Sequence, residues 1–126
     1  MNAISSLPPV LLVALGGGAG AALRYLLGAW AAGAFPVGFP WGTWIINIAG
    51  SLLLGFLITR LGGEQEAVRL LLGVGLLGGF TTFSTFSVEL VAMVGRGELM
   101  VAMAYAVSSV AGGVVAALLG VFLGRA

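Results

Sequence analysis

Residues 67 to 94 read "AVRLLLGVGLLGGFTTFSTFSVELVAMV". The stretch is apolar at both ends, but its centre holds Gly73, Gly75, Gly78 and Gly79, followed at once by Thr81 and Thr82. It has about 28 residues, where roughly 20 suffice for a helix to cross a bilayer. Glycine lowers helix propensity, and hydroxyl side chains compete for backbone hydrogen bonds. The spacing therefore predicts a spanning helix broken near Gly78–Thr81. Backbone groups freed at membrane depth must find partners inside the protein. Carbonyls at the C-terminal end of a half-helix can hold a cation. A tilted, kinked helix without an ion fits the same spacing.

The rest of the chain supports a membrane reading. It has 126 residues, 60% hydrophobic and 7% charged, against about 25% charged in an ordinary soluble domain. Charges and turn residues divide it into four apolar segments, at residues 9–33, 41–58, 67–94 and 99–123, joined by "AFPVGFPWG", "RLGGEQE" and "GRGE". Each is long enough to span. The expected fold is all-α: a single four-span transmembrane domain over 1–126. "MNAISSLPPV" lacks the positive flank of a signal peptide, so the first segment is read as a permanent span. Trp30, Trp41 and Trp44 fall near predicted ends, where aromatic belts form.

Several chemistries are excluded. With no Cys and no His, thiol catalysis, the usual zinc sites and histidine acid–base chemistry have no residues to use. No nucleophile–base pair or nucleotide motif is visible, so an enzyme is not expected. The five cations are all arginine and form no basic patch for nucleic acid.

Those arginines divide almost evenly. Arg60, Arg69 and Arg125 fall on the side of the termini, and Arg24 and Arg96 on the other. The positive-inside rule has little to act on. The reading is dual topology, which permits an antiparallel homodimer. Gly16/Gly20, Gly75/Gly79 and Gly120/Gly124 recur four apart, and small residues let helix backbones approach closely in lipid, within a chain or between copies.

Three segments carry polar faces at helical spacing. Beyond the expected break, Thr82, Thr85 and Glu89 form a stripe beside the rings of Phe83 and Phe86. Thr43, Asn47, Gly50 and Ser51 form one on the second segment, and Tyr105, Ser108, Ser109, Gly112 and Gly113 one on the fourth. Asn47 is an amide in a charge-free span and needs a partner. Convergence of these faces makes a narrow path of neutral donors and aromatic edges. A phenyl edge is partially positive, so such a path suits a small, hard anion better than a cation. Helix–helix hydrogen bonding and ordinary packing explain the same stripes without an ion. Glu89, an acid inside a span, is a functional candidate of open role.

At this point the sequence resembles the Fluc family of bacterial fluoride channels. "GGFTTFSTFS" carries the resemblance most specifically, supported by "WGTWIINIAGS" and "GGAGAALRY". The resemblance covers the whole chain. It implies a passive fluoride channel of the bacterial inner membrane, built as a dual-topology dimer with two pores lined by both subunits. Phe83 and Phe86 would line the ion path with Asn47. Tyr105 and Ser109 would form a polar track, extended by Ser84 and Thr85; Gly113 falls where some members carry another hydroxyl. Arg24 would stand in a vestibule. The carbonyls of Gly78 and Thr81 would hold a structural sodium ion on the two-fold axis. The resemblance implies no protein partner beyond a second copy.

The competing reading is a small four-span, proton-coupled multidrug exporter. That mechanism favours an acid in the first span, and the first segment carries only Arg24.

Overall fold

The structure, a computed structural model, describes residues 3–126. Among them are four helical segments long and apolar enough to cross a membrane, Pro9–Ala34, Trp41–Arg60, Glu66–Gly95 and Leu99–Arg125, and no strand. They are called here the first to fourth spans. A short turn, Ile4–Ser6, precedes the first.

Prolines and glycines set the ends. The first span opens on Pro9, where the missing N–H is one that a first turn leaves unpaired anyway. It stops where Phe35 turns extended ahead of Pro36, as a residue before proline tends to. Gly97 closes the third span at φ +77°. That left-handed residue lets the Glu98 amide reach back to the Met93 carbonyl at 2.9 Å.

The third span is not uniform. Arg69–Leu77 is wound as a π-helix, and the Gly78 amide donates to the Gly73 carbonyl five residues back. Helix continues through Gly78–Phe80. Thr81 is then extended at φ −81°, ψ 159°, and helix resumes at Ser84–Gly95.

Glycines set the packing within the chain. The first span lies on the N-terminal half of the third, and the second span lies along the fourth. A Cβ at Gly16 would strike the Leu71 carbonyl, and one at Gly79 would come within 2.9 Å of the Gly17 Cα. On the other side of the bundle, a Cβ at Gly120 would strike the Leu52 carbonyl and one at Gly55 the Ala117 carbonyl. In lipid no hydrophobic effect drives helices together, so close backbone approach supplies the van der Waals contact that does. Large apolar side chains such as Val114, Leu118 and Phe122 stay exposed along the fourth span, as a membrane-facing surface requires.

Candidate functional site

The polar face of the second span meets the interruption in the third. Asn47 Nδ2 donates to the Thr82 carbonyl at 2.9 Å, and its Oδ1 accepts the Thr82 amide at 2.9 Å. One side-chain amide thus replaces both helical bonds of a residue that has left the helix. Gly50, one turn on, has no side chain to strike the methyl of Thr81. Thr82 Oγ1 accepts the Thr85 amide at 3.3 Å and helps to start the next helix. On the near side, Leu77 accepts both the amide and the hydroxyl of Thr81. Arg24 Nε, from the first span, donates to the Gly79 carbonyl at 3.2 Å. Among the described residues, no turn, cap or side-chain hydrogen bond reaches the carbonyls of Gly78 or Thr81.

Glu89 gathers three spans. Its carboxylate accepts from Thr43 Oγ1 at 3.2 Å and from the Tyr105 hydroxyl at 2.8 Å. Tyr105 is fully buried, and Phe86 meets it edge-on with ring centroids 5.0 Å apart. Phe39 approaches the same tyrosine from the loop after the first span, at 5.3 Å. Trp44 Nε1 donates to Ser108 Oγ at 3.0 Å, and Ser108 donates onward to the Tyr105 carbonyl. These bonds fix the rotation of the fourth span against the second.

Two clefts flank the interruption. One, of 660 Å³, is lined by Arg24, Thr43, Thr85, Glu89 and Arg96, with aromatic residues of the first loop. The other, of 490 Å³, has no charged side chain; Asn47, Ser51, Thr81, Phe83, Phe86 and Ser109 line it. Thr82 lines both. Ser109 Oγ is buried in this part of the bundle with no hydrogen-bond partner among the described residues. An unpaired hydroxyl in such a place is costly unless a ligand uses it.

The expected site residues therefore separate. Asn47, Phe83, Phe86 and Ser109 share the uncharged cleft with Gly78 and Thr81. Thr85, Glu89 and Arg24 share the charged one. Tyr105 and Ser84 line neither, and the Tyr105 proton is committed to Glu89. The two rings differ as well: Phe86 is 8% exposed, whereas Phe83 is 79% exposed, with centroids 6.1 Å apart. Phe83 precedes the resumed helix and lines the cleft with Phe86, but stands far more exposed. Sequence reasoning read Trp44 as an interfacial anchor and missed its bond to Ser108. The signal was there in the spacing, since Trp44 lies one turn before Asn47 on the same face.

Comparison with known proteins assigns the chain to a family. The family described as "CrcB-like protein, Camphor Resistance (CrcB)" matches residues 11–121. The chain is 48% identical over 119 residues to "Fluoride-specific ion channel FluC" of Chloroflexus aurantiacus, covering 92% of this chain and 94% of that protein. It is 53% identical over 118 residues to the protein of that name from Novosphingobium aromaticivorans, covering 89% of each. With the Thermus thermophilus protein of the same name it shares 50% over 119 residues, 92% of this chain and 93% of that one. The family match over residues 11–121 takes in most of the chain, and the chain belongs to the CrcB-like family.

Proposed function

We propose that this protein is a passive, fluoride-selective channel that lets fluoride leave the bacterial cytoplasm across the inner membrane. The observation that carries the reading is the uncharged cleft of Asn47, Ser109, Phe83 and Phe86, with its unpaired Ser109 hydroxyl, in a chain whose relatives are named as fluoride channels. Fluoride is small and strongly hydrated, so a path must replace its water in steps. Neutral hydroxyl and amide donors and ring edges do this without binding so tightly that the ion cannot leave. Thr82, shared by the two clefts, sits where an ion attracted by Arg24 would pass toward the phenylalanines. An inside-negative potential drives the anion out by about 2.3 kcal/mol per 100 mV.

The cleft is open in one copy, and Phe83 stands largely bare beside it. A second copy inserted the opposite way would cover that ring and supply the other wall of each of two pores. The near-even arginines allow such insertion. A C-terminal tag should then be accessible from both faces of the membrane; labelling from one face alone would count against it. If the interruption of the third span lies at membrane depth, the Gly78 and Thr81 carbonyls, at the end of a half-helix, would be offered to a hard monovalent cation such as sodium. One chain gives two such oxygens, and a two-fold axis would give four. Such an ion would hold the copies together and offset the half-helix dipoles.

A proton-coupled exporter remains the alternative class. Its acid would be Glu89, which here lines the charged cleft and already accepts hydrogen bonds from two hydroxyls. Fluoride efflux from proteoliposomes measured on an electrode separates the two. A channel releases fluoride with the pH gradient collapsed, whereas a proton-coupled multidrug exporter releases none. Phe86→Ile, which keeps an apolar side chain but removes the ring edge, should lower fluoride flux about tenfold, a barrier change of about 1.4 kcal/mol. Undiminished flux would make that ring a packing residue.

A further inference from the structure

Ser51 lies one turn beyond Asn47 on the second span. Its Oγ donates to the Asn47 carbonyl at 2.7 Å, a local bond along its own helix. It also lines the uncharged cleft with Asn47, Phe86 and Ser109. On the facing fourth span, Tyr105, Ser109 and Gly113 follow at four-residue intervals and so share one face. That face has no side chain at Gly113. A Cβ placed there would meet the Ser51 oxygen at 3.5 Å, and among the described residues no other atom outside its own stretch of helix stands within 4 Å. The gap in the fourth span is therefore bordered by the hydroxyl of the second. Ser109, one turn before the gap, holds its own hydroxyl buried and unpaired among the described residues.

We propose that Ser51 is a further ion-contacting residue of this cleft, its hydroxyl standing beside the gap at Gly113 and continuing the run of donors that Ser109 begins. The proposal rests on the reading of the cleft as a fluoride path. The Ser51 proton is free to turn toward an anion at small cost. The bond it gives up is a back-bond to the preceding turn, and the Asn47 carbonyl keeps its place in the helical ladder. The missing side chain at Gly113 leaves room for the ion on that side. Serines that only back-bond are common in spanning helices, so the test must separate the two roles.

The test moves the hydroxyl from one span to the other. Wild-type protein, Ser51→Ala and the double variant Ser51→Ala/Gly113→Ser are reconstituted in liposomes, and fluoride efflux is read on an electrode. Wild type should conduct, and Ser51→Ala should lose about fivefold in flux, the rate equivalent of one neutral hydrogen bond. The double variant should regain most of it, with all three proteins equally monodisperse in detergent. A merely structural Ser51 predicts no such rescue, because a hydroxyl on the fourth span restores no back-bond to Asn47. Flux in Ser51→Ala equal to wild type, or a double variant as slow as the single one, overturns this inference alone. A wild-type protein that does not conduct fluoride overturns the channel reading and this inference with it.

Discussion

Gly20→Val is expected to abolish the folded protein. A Cβ at position 20 would overlap the Leu76 carbonyl, approach the Phe80 amide nitrogen at 2.8 Å and the Leu76 carbonyl carbon at 2.9 Å. All three are backbone atoms, so no side chain can swing aside. The first span would have to leave the third. Adding carbons to a close-packed interior costs about 1–3 kcal/mol even where side chains can adjust, and more where backbone must move. The damage would also reach the site, because Arg24, one turn on, holds the Gly79 carbonyl beside the interruption. Size-exclusion profiles and melting midpoints in detergent measure the effect. Gly18→Ala is the control: nothing lies within 4 Å of a Cβ there. That variant should melt no lower than wild type, and replacing an exposed helical glycine can gain up to about 1 kcal/mol. Equal behaviour of the two variants would mean that the first and third spans do not meet as described.

Replacing Asn47 should have the second large effect, and two substitutions divide it into folding and conduction. Asn47→Leu strands the amide and the carbonyl of Thr82 together. A backbone group left unpaired and out of water costs about 1–3 kcal/mol. The variant should be markedly destabilised, with little monodisperse protein. Asn47→Asp keeps an acceptor for the Thr82 amide and should retain more of the fold. An ionised carboxylate in the cleft would nevertheless repel fluoride. At about 4 Å and an effective dielectric of about 20, the repulsion is about 4 kcal/mol, or about a thousandfold in rate. Melting midpoints and electrode-measured flux on the same samples distinguish these outcomes. A conducting Asn47→Asp channel would remove Asn47 from the ion path.

The segments that cross were legible from hydropathy and length, because long apolar runs between charged, glycine-rich turns have few other uses. The polar faces were legible too: Thr43, Asn47 and Gly50 do share one side of the second span, and that side meets Glu89, Thr82 and Thr81. What the periodicity lacked was phase. Helical spacing carries a stripe forward only while the helix is continuous, and the chain leaves it at Thr81. A count restarted at Thr82 keeps Thr82, Thr85 and Glu89 together, and all three line the charged cleft, while Phe83 shares the other cleft with Phe86 but is far more exposed. The Trp44–Ser108 bond was hidden for a related reason. Ser108 sat on a recognised face and Trp44 did not, and their pairing depends on how the second and fourth spans are rotated, which no single helix encodes. The glycine pairs were ambiguous between contacts within a chain and between copies. Gly16, Gly79, Gly55 and Gly120 all make close contacts within the chain.

The central claim is that uncharged donors and ring edges pass fluoride while refusing a larger halide. Proteoliposomes loaded with equal fluoride and chloride, with potassium flux shunted by an ionophore and the pH gradient collapsed, test it in one trace per ion. The account predicts rapid fluoride release once the ionophore is added, with chloride retained in the same vesicles. Release of both ions at similar rates, or of neither, would contradict it.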